Sequence, residues 1–170
     1  SSITSLSPKP APKAGKSRKA LNADNLRALG DGRLAAILMD EADGSPALKR
    51  RLRLELAVAL GAPELAAELT KRLDTIATSK ARVHWRRHKE FRRDLDLQRN
   101  MIAGPLAGLD PGLGLRLMLR FLGLERAVLA RVSDLKGEAA DIFTRALADL
   151  SALAPTVAPG PADLKEADLA

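Results

Sequence analysis

Leucine (31) and alanine (30) fill much of the 170-residue chain, while Val, Ile, Thr, Phe and Trp together supply 20 residues; this excludes a sheet-based fold, because strands draw on β-branched and aromatic side chains and helices on Leu and Ala. A hydrophobic content of 46% against 29% charged residues excludes wholesale disorder, and the absence of cysteine excludes disulfides, thiolate chemistry and sulfur-ligated metals. The net charge of +7 points at first to a basic protein with polyanionic partners.

Residues 1–20 read as a disordered basic arm, since Pro8, Pro10 and Pro12 alternate with small and basic residues and nothing there can bury a face. Order is expected from Leu21. Asn22 is placed to cap a short helix through Leu29, which Gly30 stops. A second helix is predicted from Asp31 to Ala42, with Leu34, Ile37, Leu38 and Glu41 at helical spacing and Gly44 at its end. Ser45-Pro46 then supplies an N-cap and a first-turn proline for a third helix to Leu60.

Within that third helix, Arg51 to Leu60 alternates polar and apolar residues as a half-buried strand does. The segment is nearly devoid of β-branched residues, and Leu48, Leu52, Leu56 and Leu60 recur every four residues, so helix is predicted. After Gly61, Pro63 opens a helix whose Leu65, Leu69, Leu73 and Ile76 form one stripe. A long helix is expected over Ser79–Ala103, broken at Gly104-Pro105. Asp110-Pro111 starts another, apolar almost all round to Val132, which belongs at the centre of a bundle or in an interface. A turn over Ser133–Gly137 precedes a helix from Glu138 to Leu153 with Ile142, Phe143, Ala146, Leu147 and Leu150 inward.

Residues 155–170 read as a Pro/Gly linker, through Pro159, Gly160 and Pro161, and the opening turns of a further helix. That truncated helix suggests that the parent protein continues, while the start at Ser1 fits initiator removal, a fragment or processing alike. The expected fold is therefore all-α: a helical domain over 21–154, built as an irregular bundle or a short, solenoid-like helical-repeat array of about six to seven helices. The prolines at 63, 111 and 161 recur at near-equal intervals, which fits either arrangement.

Dividing the charge changes its meaning. The arm carries five cations and no acid, and residues 80–93 carry seven cations against Glu90 alone; the remainder carries 16 basic and 20 acidic groups. The body is thus slightly acidic, and the basicity resides in an arm and one short stretch.

The segments Leu21–Gly30, Lys49–Ala57 and Lys71–Lys80, running into Val83-His84-Trp85-Arg86-Arg87, resemble a family of uncharacterised bacterial helical proteins known as a domain of unknown function. Phe121, Val128–Asp134, Asp141-Ile142-Phe143 and Ala148-Asp149-Leu150 continue the resemblance, which spans about residues 21–154. It implies the helical fold and a longer parent protein, and it assigns no activity and no functional residue.

Few residues invite chemistry. His84 and His88, the two histidines, stand four apart, the spacing by which one helix offers two imidazoles to zinc. Trp85 occupies the place where a metalloprotease needs its glutamate, however, and Arg86, Arg87 and Lys89 oppose a cation. No nucleophile elbow appears, and Gly112-Leu113-Gly114 lacks the strand and the Gly-Lys-Ser/Thr of a phosphate loop. No enzyme, metal or cofactor is expected. No window is long and apolar enough to span a membrane, and a cytoplasmic location is the simplest expectation.

The candidate contact residues are Lys80, Arg82, Arg86, Arg87, Lys89, Arg92 and Arg93, with Trp85 among them. Pairing of Glu90 with Arg93 and of Arg92 with Asp96 is expected to absorb part of their charge. Two functions stay open, the first as the leading reading and the second as its alternative. One is a non-catalytic module for protein–protein interaction, scaffolding or self-association, suggested by the apolar helix from residue 111. The other is binding of a duplex DNA or RNA backbone by the arm and the basic helix; with four aromatic residues in the chain, a single-strand stacking platform is disfavoured.

Overall fold

The computed structural model describes residues 17–157, and the described residues are helical with no strand. The basic residues Lys9, Lys13 and Lys16, and the helix expected after Pro161, lie outside them. Contacts divide the chain into two compact units between Ser45 and Pro46.

The first unit holds α1 (Ala23–Arg27) and α2 (Asp31–Asp43). Asn22 caps α1 as expected, its side chain accepting from the Asn25 N–H at 2.8 Å. Asn25 Nδ2 donates in turn to the carbonyls of Ser17 and Ala20, so residues 17–20, assigned from the sequence to the arm, are bent back onto α1. Gly30 takes φ +85° between the helices, a conformation that costs glycine little.

In the second unit, α3 (Pro46–Leu60) and α4 (Ala62–Thr78) are joined at Gly61, which sits at φ +116°. The strand alternative for residues 51–60 is thereby rejected. The inward face of α3 is not the predicted leucine stripe: Leu54 and Ala57 are buried, whereas Leu56 and Leu60 are 68% and 72% exposed. Every-fourth-residue spacing drifts around a helix of 3.6 residues per turn, so a leucine row alone does not fix the buried face. On α4 the predicted stripe holds, with Leu65, Leu69, Leu73 and Ile76 all buried.

The next expectation needs correction. Residues 79–84 are non-helical, Trp85–Arg87 form a 3-10 turn, and α5 begins only at His88 and runs to Met101. Gly104-Pro105 does not break the chain's helical path either. The backbone widens into a π-helical segment over Ile102–Leu106 and continues as α6 (Ala107–Leu109), so that the missing proline N–H falls in a stretch whose hydrogen-bond register is already altered.

Asp110 caps α7 (Pro111–Leu122), accepting from the Leu113 N–H at 3.1 Å. The helix expected to reach Val132 ends instead at Gly123, and a short α8 (Glu125–Leu129) follows. Gly114 is the point of closest approach between α7 and α6: a Cβ there would lie 2.9 Å from Ala107 Cα and Cβ. Finally α9 spans Glu138–Leu153 as predicted, started by Gly137 at φ +68° and by Asp134, whose carboxylate accepts from the Ala139 and Ala140 N–H groups. Ile142, Phe143 and Ala146 point inward, but Leu147 is 56% exposed and Ala139 takes an inward place.

Packing runs from α3 to α4, α4 to α7, α7 to α9, α9 to α5 and α5 back to α3. That closed circuit makes the unit an irregular bundle; in a solenoid each repeat would meet only its neighbours. Its core joins the α4 leucines to Leu95, Ile102, Leu106, Met118, Phe121, Val128 and Phe143, with the Phe121 and Phe143 rings 5.2 Å apart. Each such side chain contributes about 1.5–3 kcal/mol by leaving water.

Candidate functional site

The basic stretch is a composite of three local structures. Lys80 and Arg82 lie on the non-helical segment, Arg86 and Arg87 on the 3-10 turn, and Lys89, Arg92 and Arg93 on the first turns of α5. Three bonds hold this shape. The Val83 N–H donates to the Arg131 carbonyl at 2.8 Å, Arg131 Nε donates to the Ala81 carbonyl at 2.8 Å, and His88 Nε2 is 2.9 Å from the Val83 carbonyl. The two bonds to Arg131 are long-range and override the good helix propensity of Lys, Arg and Ala, and like charges one turn apart weaken the helical alternative further.

Both histidines are committed to this local structure. His84 is not on the helix; it caps the 3-10 turn, its Nδ1 accepting from the Arg86 N–H at 3.3 Å, and its ring stacks on Trp85 at 5.8 Å. The two imidazoles therefore do not form the helical pair that zinc would need. Among the described residues no group of three or more His, Asp and Glu side chains is placed to hold a metal.

The predicted charge pairing is also corrected. Arg92 reaches Glu138 at the start of α9, 2.9 Å away, and Asp96 pairs with Arg99 and Arg145. Lys80, Arg82, Arg86, Arg87, Lys89 and Arg93 are exposed and form no ion pair among the described residues. Arg86 lies over the Trp85 ring at 5.2 Å, and Trp85 itself is 69% exposed.

Sequence reasoning missed the polar network beneath this surface. Asp94 is 4% exposed, and its carboxylate accepts from Arg50 Nε of α3 at 3.3 Å, Arg72 Nε of α4 at 2.7 Å and Gln98 Nε2 at 3.3 Å. Gln98 is fully buried and its Oε1 has no hydrogen-bond partner among the described residues. One turn on, Arg99 donates to Asp96 at 2.9 Å and to Asp149 of α9 at 2.6 Å. Burial alone would lower the Arg99 pKa, but the hydrogen bonds and charges of Asp149 and Asp96 together raise it above the usual arginine value. The spacing of Asp94, Gln98 and Arg99 on α5 carried a signal, since all three share the face of Leu95; no long-range partner could be named from it.

Arg131 differs. Its guanidinium lies 5.3 Å from the Phe91 ring, and its pKa is lowered, first by burial and then by the neighbouring Arg72 cation. Elsewhere, a shallow groove of about 750 Å³ between α4 and α7 is lined by Pro63, Ala66, Thr70, Asp74 and Leu113 among others; its carboxylate, Asp74, pairs with Arg120.

A family model described as a family of unknown function (DUF6880) matches residues 16–170, and the chain belongs to that family. No curated protein and no solved structure matches it. No helix among the described residues is long and apolar enough to cross a membrane.

Proposed function

We propose that this DUF6880 chain is a non-catalytic helical binding module that takes the phosphate backbone of a nucleic acid on its basic turn, residues 80–93. One observation carries the reading: six exposed cations of residues 80–93 have no acidic partner among the described residues, and one of them, Arg86, lies over the ring of the exposed Trp85. Phosphate contacts by Lys and Arg release condensed counterions and supply most of the affinity for a backbone. The placement also works against stability. Arg87 and Lys89 sit at the positive end of α5, where a cation costs about 0.3–1 kcal/mol and an acid would be favoured. Such local conflicts are characteristic of surfaces kept for binding.

The test uses a fluorescein-labelled DNA duplex and the full chain. Anisotropy titrations over a salt series give a slope of log K against log salt of about −3.6 to −5.4 if four to six cations engage. Quenching of Trp85, the single tryptophan, reports on the same surface. Reversing Arg86, Arg87 and Arg93 to Glu removes binding. Equal affinity after that reversal, or no dependence on salt, overturns the reading.

A second reading, a protein partner, is favoured by a different feature. Leu56 and Leu60 expose large apolar side chains on the outer side of α3, and Trp and Arg are the residue types that dominate protein interfaces. Light scattering after size exclusion tests self-association through α3; a mass equal to one chain at all concentrations, unchanged in Leu56→Ser, counts against that form of it.

A further inference from the structure

We infer that Arg72 and Arg131 form a half-buried receptor for one phosphate-class oxyanion, with Arg50 a further guanidinium on the Asp94 carboxylate that Arg72 also holds. This goes beyond docking on the exposed turn, because the residues are different and the ligand is a single group.

The argument starts on α5. Phe91 and Asp94 stand three residues apart and so occupy neighbouring positions on one helix face. Arg131 lies over Phe91, and Arg72 and Arg50 both bond Asp94. Two guanidiniums thus share one carboxylate while a third, Arg131, lies over the neighbouring ring without one, and the three cations exceed the single acid by two positive charges. Asp94 is the carboxylate within ion-pair distance of Arg50 and Arg72 among the described residues, and Arg131 has none. Their side chains are withdrawn from solvent: Arg72 is 22% and Arg50 27% exposed.

The donor inventory is favourable as well. Arg72 spends Nε and one Nη on Asp94, Arg50 spends Nε there, and Arg131 spends Nε on the Ala81 carbonyl. One Nη of Arg72 and both Nη groups of Arg50 and Arg131 make no hydrogen bond among the described residues. Planar guanidiniums with paired N–H groups match phosphate oxygens, which accept two parallel bonds from one arginine. A bound oxyanion would compensate the excess charge that part-burial otherwise makes unfavourable. The lowered pKa of Arg131, caused by burial and then by Arg72, marks the same uncompensated cation.

The experiment uses inorganic phosphate with the full chain, at ionic strength held constant with chloride. Phosphate raises Tm where chloride does not, and it moves the Nε–Hε resonances of Arg72 and Arg131 in proton–nitrogen spectra. Arg131→Gln weakens phosphate affinity by roughly tenfold, as loss of a charge-assisted bidentate contact should, while the exposed Arg93→Gln leaves it within about twofold. The wild-type resonances keep the test decisive should Arg131→Gln fold poorly. A duplex DNA arm then identifies the source: if duplex moves the same two resonances the group is a backbone phosphodiester, and if only free phosphate does so it is a free phosphate or phosphate ester. In the second case the receptor stands, and docking of a backbone on the exposed turn is decided separately by the salt series and the reversal of Arg86, Arg87 and Arg93. A phosphate effect no larger than that of chloride, or equal affinity in folded Arg131→Gln, overturns the receptor.

Discussion

Arg72 of α4 donates from Nε to the buried carboxylate of Asp94 on α5 across 2.7 Å, and Arg50 of α3 reaches the same carboxylate. One acidic side chain therefore ties three helices, and its removal leaves two guanidiniums without their counter-ion. Asp94→Ala is expected to cost about 3–5 kcal/mol, the range for breaking a buried pair from one side. Urea denaturation followed by circular dichroism checks it; a loss below about 1 kcal/mol would show that the arginines re-solvate freely.

Arg99 joins α5 to α9 through Asp149 and is more basic in the folded chain than an ordinary arginine, because the bonds to Asp149 and Asp96 outweigh its burial. A raised folded-state pKa means stability that is present in full below the unfolded value and is lost only as pH rises through the folded one. That window lies above the usual arginine value, so the contribution is constant at ordinary pH. The destabilisation by Arg99→Met should therefore be equal at about pH 6 and about pH 10 as far as Arg99 itself titrates. Paired denaturation curves at the two values test this.

Two glycines should respond to alanine with opposite signs. A Cβ at Gly114 meets Ala107 at 2.9 Å, whereas one at Gly108 meets nothing within 4 Å. Gly114→Ala is expected to destabilise by about 1–3 kcal/mol through overpacking of α7 on α6, and Gly108→Ala to stabilise by about 0.4–1 kcal/mol by restricting the unfolded chain. Thermal melts of both variants against the parent decide the matter.

The two faces of α3 offer another contrast. Leu54 is buried and Leu56 is exposed, two residues apart. Leu54→Ala should lose about 2–5 kcal/mol, while Leu56→Ser should change stability by no more than about 0.5 kcal/mol. Equal losses would mean that the outer leucine face is covered in the native chain.

Trp85 should report water. Being mostly exposed, it should emit at the wavelength of a solvated indole, and Trp85→Ala should leave stability within about 0.5 kcal/mol. A blue-shifted emission from the unliganded chain would contradict the exposed turn on which the proposed binding surface rests.

Much of the fold was legible from local chemistry. The Asn22 and Asp110 caps, the prolines at 46 and 63, the α4 stripe and the bounds of α9 each depend on residues within one or two turns, and there the sequence and the structure agree. The failures share a cause in long-range contact. Residues 79–84 have the composition of a helix, and bonds to Arg131, roughly fifty residues away along the chain, hold them extended. Arg92 had an acid one turn away in Asp96 and turned to Glu138 instead.

Composition and periodicity thus determined an all-helical chain with its basicity confined to short stretches, since helix propensity and hydrophobic spacing act over a few residues. Only the tertiary structure decided which face of α3 is inside, that the helices close into a bundle, and that six cations of residues 80–93 stand on the surface while Arg50 and Arg72 meet at Asp94 and Arg131 lies over Phe91. Those outcomes rest on pairs of residues far apart in the chain, whose meeting no local preference specifies.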